Sequence, residues 1–209
     1  MAALDIAFFV LSLVSLFSIT NPLSAATVFI SITQSNTLKE KRAMAKKSVL
    51  IAAIVLVFFA LAGNYILQFY SITLEAFRIA GGILIGYVGF EMLNYGKKTF
   101  KTKKEEREAV LKKDVSIIPL AIPMMSGPGA ITTSIVLMSQ TQNIIQILMV
   151  LLAIVVVYGI TYPVLYEANY YDKLLGENGR SVVEKITGFI VLVIGVQFVI
   201  NGIMGLSGI

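Results

Sequence analysis

The sequence contains no cysteine and no histidine. Without cysteine there can be no disulfide, reactive thiolate or zinc–sulfur site, and without histidine the commonest metal ligand and the usual switch near neutral pH are absent. Charge is also scarce, because Asp, Glu, Lys and Arg make up 14% of the residues, against about 25% in soluble domains. Phosphate-binding loops and catalytic triads are missing too, so we expect neither an enzyme nor an ATP-driven pump.

Long apolar runs take the place of these features. Hydrophobic residues make up 57% of the chain, and several runs approach the roughly 20 residues that a helix needs to cross a bilayer. We therefore predict an all-α membrane protein. Its six transmembrane helices are expected at about 4–34, 46–69, 73–96, 115–140, 142–168 and 182–206. The first residues carry no basic charge, so we expect the first apolar run to remain as a span and not to be a cleaved signal peptide.

The basic residues predict the orientation of these helices. Every lysine and arginine except Arg78 lies in the predicted loops 1–2, 3–4 and 5–6 or, for Lys46, Lys47 and Lys185, at their ends. These loops share one side in a six-span topology. The positive-inside rule places these loops in the cytoplasm and both termini outside the cell membrane. The longest loop, 97–114, mixes charges of both signs and is interpreted as a solvated linker, with binding to anionic lipid as the alternative. No nucleic-acid partner is expected.

A weak internal repeat appears at an offset of about 106 or 107 residues. Asn21-Pro22 then aligns with Gly127-Pro128, and Arg78 to Gly81 aligns with Lys185 to Gly188. Each half would hold three helices, an odd number, so the second half would be inverted in the membrane, as in many secondary transporters. We predict a first repeat at 1–96, a cytoplasmic linker at 97–114 and a second, inverted repeat at 115–209. Coincidence in an apolar sequence is the alternative.

Two prolines lie near the middle of predicted spans. Pro22 follows Asn21, and Pro128 follows Ser126-Gly127; a polar cap followed by proline is typical of a helix start. We therefore predict that helices 1 and 4 are broken at these points. Each restart would offer free amides for a carboxylate, and each preceding half-helix would offer free carbonyls for an ammonium group. The alternative is two kinked packing helices without a ligand.

These breaks define the candidate substrate-binding residues. They are small or polar and leave room for a small solute: Thr20, Asn21, Pro22, Ser24, Ser126, Gly127, Pro128, Gly129 and Thr132. Gln197 is added as the most interior polar residue of the sixth helix. No catalytic residue, metal site or cofactor is predicted.

Five segments carry a resemblance to a known family. They are Ile19–Leu23, Arg78–Gly82, Pro119–Pro123, Gly127–Gly129 and Gly195–Gly202, which together resemble the MarC family in the same order along the chain. The resemblance implies six helices in two inverted halves, with substrate at the two breaks. It also implies transport of small neutral amino acids such as glycine and alanine, coupled to H+.

The leading hypothesis is thus a secondary transporter of small neutral amino acids that works by alternating access. A passive channel for small neutral solutes is the alternative, and a membrane-embedded enzyme or assembly scaffold is the third possibility. Stripes of small residues on the predicted helices also permit a homo-oligomer.

Overall fold

The computed structural model describes residues 2–33, 36–93 and 125–207, and these residues are helical apart from short connections, with no strand among them. The helices are α1 (Ala2–Thr20), α2 (Pro22–Ile32), α3 (Leu38–Phe69), α4 (Leu74–Leu93), α5 (Pro128–Ser139), α6 (Ile144–Tyr166) and α7 (Ala168–Ser207). The predicted linker 97–114 and the first part of the predicted fourth span, including Pro119 and Pro123, lie outside the described residues.

The apolar helices confirm an all-α membrane protein. Five segments of the described chain are long and apolar enough to cross a bilayer: Asp5–Ile30, Leu38–Phe69, Leu74–Leu93, Ile144–Tyr166 and Lys185–Leu206. The first of these contains the predicted break, because α1 ends at Thr20 and α2 begins at Pro22. In the fourth predicted span, α5 begins at Pro128 as expected and has 12 residues.

Two helices begin earlier than the predicted spans that they contain, although the apolar segment Lys185–Leu206 agrees with the sixth predicted span at 182–206. The second predicted span begins at Leu38 and not near residue 46, because Thr37 and Glu40 form a capping box: the Thr37 N–H donates to Glu40 Oε2 at 2.8 Å, and the Glu40 N–H donates to Thr37 Oγ1 at 3.3 Å. The predicted loop 5–6 is mostly helical, since α7 begins at Ala168 and is interrupted only at Gly176, where φ is 60°. Charged residues indicate where a helix leaves the hydrocarbon, and the helix itself continues beyond that point.

Helices α4 and α7 pack through glycines in an antiparallel pair. A Cβ atom added to Gly82 would lie 2.6 Å from the Gly195 carbonyl oxygen, and one added to Gly188 would lie 3.1 Å from the Gly89 carbonyl oxygen. Such close backbone approach is possible only where side chains are absent. The antiparallel direction is what an inverted arrangement requires of the third and sixth spans. The division into repeats at 1–96 and 115–209 stays a prediction.

Side-chain contacts identify the two ends of the helix bundle. At what we call the Asp5 end, Gln146 Nε2 donates to Asp5 Oδ1 at 3.2 Å, and both side chains are buried. At the Arg42 end, the Arg42 guanidinium lies 3.7 Å from the Glu167 carboxylate and 4.2 Å from the centroid of the Tyr166 ring. The start of α3 therefore meets the end of α6, on one side of the bundle. The assignment of this side to the cytoplasm stays a prediction.

The glycine contact between α4 and α7 predicts a selective sensitivity to methyl groups. We expect Gly82→Ala to lower the thermal stability of the purified protein in detergent, because the new Cβ meets backbone atoms that cannot rotate away; overpacking of this kind costs about 1–3 kcal/mol. Gly159→Ala is the matched control on α6, where an added Cβ has no atom within 4 Å. Equal melting temperatures for the two variants would contradict this close packing of α4 against α7.

Candidate functional site

The break between α1 and α2 is formed by Asn21. Its backbone is left-handed, with φ 45° and ψ 71°, a conformation that asparagine adopts more readily than most residues. The side chain caps α2, since Asn21 Oδ1 accepts from the Ser24 N–H at 3.3 Å and Asn21 Nδ2 donates to Ser24 Oγ at 2.6 Å. Asn21 is thus the N-cap of α2, as the sequence predicted. The expectation of free amides at the start of α2 is corrected, because the Ser24 N–H already donates to the Asn21 side chain.

The start of α5 differs from the start of α2. Gly127 is the N-cap residue in extended backbone, and no side chain caps this helix. Pro128 is the first helical residue and has no N–H. Within the described part of the chain, no hydrogen bond reaches the N–H groups of Gly129 and Ala130, and Ala130 is buried. The positive end of the α5 dipole therefore retains two free donors.

The two breaks adjoin each other. A Cβ added to Gly129 would lie 3.0 Å from Ile19 Cδ1 and 3.3 Å from Ile85 Cγ1. Ile19 precedes Thr20, the last residue of α1, so the start of α5 lies against the end of α1 with α4 beside them. We call this region the junction; it comprises Ile19–Ser24 and Met125–Thr132, with Tyr158 of α6.

Tyr158 was missed by the sequence analysis. Its side chain is 2% exposed, and its hydroxyl donates to the Met125 carbonyl oxygen at 2.9 Å. The residue lies eight positions before the end of α6 at Tyr166, about 12 Å along the helix axis. A tyrosine within an apolar span does signal a buried hydroxyl that needs a partner. The sequence could not show that this partner is the backbone before the second break.

Thr20 carries an unsatisfied hydroxyl at the same place. The residue is 3% exposed, and its hydroxyl lies beside that of Tyr158. It has no hydrogen-bond partner of regular geometry among the described residues. Leaving a buried hydroxyl unpaired costs about 1–3 kcal/mol, and such groups are rare in folded proteins. The junction therefore combines an unpaired hydroxyl at the end of α1 with unpaired amides at the start of α5.

Thr132 lies one helical turn after the start of α5 and packs on α4. A Cβ added to Gly81 would fall on the Thr132 side chain, 2.9 Å from its Oγ1 atom. On the next turn, Ile135 occupies the space beside Gly63 of α3. Gly81 of α4 and Gly63 of α3 thus leave the space into which α5 packs. This packing sets the position of α5 and with it the contact between Gly129 and Ile19.

The remaining predicted residues differ in their surroundings. Pro22, Ser126 and Gly127 are buried, Ser24 is half-buried, and the Pro128 ring is exposed. Gln197 is not brought to the junction: it is exposed on α7, where its Nε2 donates to Asn201 Oδ1 at 2.7 Å. Its role in substrate binding stays a prediction. The residues that form the junction carry no charged side chain, so they suit a ligand with no net charge.

Removal of the Tyr158 hydroxyl tests the contact with the second break. We expect Tyr158→Phe to lower the free energy of unfolding by about 1–3 kcal/mol, because the buried Met125 carbonyl loses its donor. The measurement is thermal unfolding of the purified protein in detergent. Tyr162→Phe, one turn further along α6, is the control, since no described residue hydrogen-bonds to the Tyr162 hydroxyl. Equal stability of the two variants would show that the Tyr158 contact contributes nothing.

Comparison with known proteins gives a consistent result over nearly the whole chain. The family model described as MarC family integral membrane protein matches residues 6–207. A UPF0056 membrane protein of Methanocaldococcus jannaschii is 39% identical over 203 residues, covering 97% of this chain and 98% of that protein. One from Pyrococcus horikoshii is 39% identical over 201 residues, covering 96% of each chain. The UPF0056 membrane protein YhcE of Escherichia coli is 30% identical over 195 residues, covering 92% of this chain and 90% of the relative. No solved structure matches.

Proposed function

The chain belongs to the MarC family of integral membrane proteins, and from this premise we propose that it is a secondary transporter of small neutral amino acids. The substrate class is that of glycine and alanine, and the chain works by alternating access. The observation that carries the proposal is the junction, where free backbone amides of α5 lie against the end of α1 inside an apolar helix bundle. The resemblance of the sequence motifs to the transporter SnatA supports the choice of substrate.

The polar groups at the junction are complementary to a zwitterion. The free N–H groups of Gly129 and Ala130 at the start of α5 suit a carboxylate. In the last turn of α1, just before the junction, the Ser18 carbonyl lacks the donor that residue 22 would supply in an uninterrupted helix, because Pro22 has no N–H. That carbonyl and the Thr20 hydroxyl suit an ammonium group. An amino acid with an uncharged side chain satisfies both halves without introducing net charge.

The packing around Gly129 supports a small substrate. Ile19 and Ile85 already lie within 3.3 Å of the position of an added Cβ at this residue. A ligand bound at the start of α5 must share this narrow space with both isoleucines. Glycine and alanine fit the proposal, whereas a leucine side chain would bring several more heavy atoms against these two isoleucines.

Transport into proteoliposomes tests the proposal directly. We expect saturable uptake of labelled glycine and alanine above that of empty liposomes, with leucine as a poor competitor. Imposed proton and sodium gradients are applied separately, and only the proton gradient is expected to drive accumulation. Flux that rises linearly with concentration and never exceeds equilibrium would identify a passive channel instead. Absence of any glycine or alanine flux would overturn the proposal.

Two substitutions test whether the junction is the transport site. Asn21→Ala removes the cap of α2 from a left-handed backbone position, and Gly127→Leu places a large side chain in a buried position of ordinary backbone conformation. We expect each to reduce glycine flux at least about tenfold, as misplacement of binding groups does in other catalysed steps. Gly159→Ala is the control and should retain wild-type flux. Wild-type flux in both junction variants would show that the substrate binds elsewhere.

A further inference from the structure

The amide of Gln197 lies on the outer surface of the bundle, at the depth of the hydrocarbon. The apolar part of α7 runs from Lys185 to Leu206, so Gln197 is twelve residues from one end and nine from the other. At about 1.5 Å per residue, these distances are roughly 18 Å and 13 Å. The side chain is exposed. A carboxamide therefore lies near the middle of a membrane span, and no helix of the described residues covers it.

The surrounding face of α7 is apolar and is also exposed. Residues spaced three, four and seven positions from Gln197 share its side of the helix. Their exposed fractions are 39% for Ile190, 50% for Val193, 42% for Ile200 and 46% for Met204. The opposite side of α7, with Gly188, Gly195 and Gly202, packs against α4. Gln197 thus points away from the glycine contact and away from the protein interior.

The hydrogen bond to Asn201 uses only one of the hydrogen-bonding groups of the Gln197 amide. Gln197 Nε2 donates one hydrogen to Asn201 Oδ1 at 2.7 Å, which leaves the second N–H and the carbonyl oxygen of Gln197 without a partner within this pair. In hydrocarbon, an amide lacking a partner carries an unfavourable desolvation cost. Amide side chains in membrane helices commonly recover this cost by hydrogen bonding to another helix.

We propose that the α7 face around Gln197 is the contact surface of a homodimer. All copies of the chain have the same orientation in the membrane, so a two-fold axis relating two copies runs along the membrane normal. The two α7 helices then lie parallel, and Gln197 of one copy faces Gln197 of the other at the same depth. A carboxamide is both donor and acceptor and is therefore complementary to itself. A second copy supplies this match without any further component, whereas lipid tails supply neither donor nor acceptor.

Cysteine crosslinking tests the surface directly, because the wild-type chain contains no cysteine. We expect oxidation of Val193→Cys in native membranes to yield a disulfide-linked species of about twice the 22.7 kDa of one chain. Ile54→Cys is the control on α3, since Ile54 is 58% exposed, comparable to the 50% of Val193. Crosslinking of Val193→Cys no stronger than that of Ile54→Cys would overturn the proposal.

A second measurement separates the contribution of the Gln197 amide to dimer affinity from that of the apolar residues around it. The monomer–dimer equilibrium is followed by single-molecule photobleaching of labelled protein diluted into liposomes. We expect Gln197→Leu to raise the dissociation constant about tenfold, in the range of one interhelical polar contact. Gln197→Asn retains an amide and should weaken the dimer less, and Val196→Leu on the same helix should leave it unchanged. Monomers at every dilution, or equal affinity of wild type and Gln197→Leu, would contradict the proposal. Neither measurement depends on transport, so its outcome is separate from that of the proposed function.

Discussion

A backbone amide or carbonyl without a partner in hydrocarbon costs several kilocalories per mole, and this constraint governs the structure. A helix can be interrupted inside a bilayer only where protein surrounds the gap. At Asn21 the chain meets this requirement locally, with the asparagine side chain and Ser24 capping α2. Before α5 it is met from a distance, with the Tyr158 hydroxyl bound to the Met125 carbonyl. The Thr20 hydroxyl and the N–H groups of Gly129 and Ala130 remain unpaired among the described residues, and they lie at the junction of the two interruptions.

The frame that holds this region in place is made of glycine contacts. The close pairing of α4 and α7 leaves little freedom to slide, since backbone atoms of one helix lie in the space that a methyl group would need on the other. The side chains of Ile135 and Thr132 of α5 pack into the space left by Gly63 and Gly81, respectively. A short helix that begins inside the membrane thereby acquires a defined position, although it is too short to span a bilayer by itself.

Local chemistry made part of this predictable. Asn-Pro and Gly-Pro are helix-start signals whose effect is confined to neighbouring residues, so the starts at Pro22 and Pro128 followed from the sequence. The capping box at Thr37 and Glu40 has the same local character and was overlooked because the charges around it were interpreted as a loop. It was harder to infer which face of each helix packs against other helices and which face is exposed. Spans that are apolar all round give no indication of which face is covered, so Tyr158 was missed and Gln197 was assigned to the interior. Whether the junction binds substrate stays a prediction.

The contacts at the two ends of the bundle differ in how ions in solution act on them. The pair of Arg42 and Glu167 is about half exposed, with side-chain accessibilities of 50% and 53%, and exposed ion pairs of this kind contribute little and weaken as salt is added. The contact of Asp5 with Gln146 at the other end is buried and is shielded far less. Raising the ionic strength therefore weakens the Arg42–Glu167 pair, while the buried hydrogen bond from Gln146 to Asp5 stays nearly unchanged. Of these two contacts, dissolved salt thus acts mainly on the one at the Arg42 end.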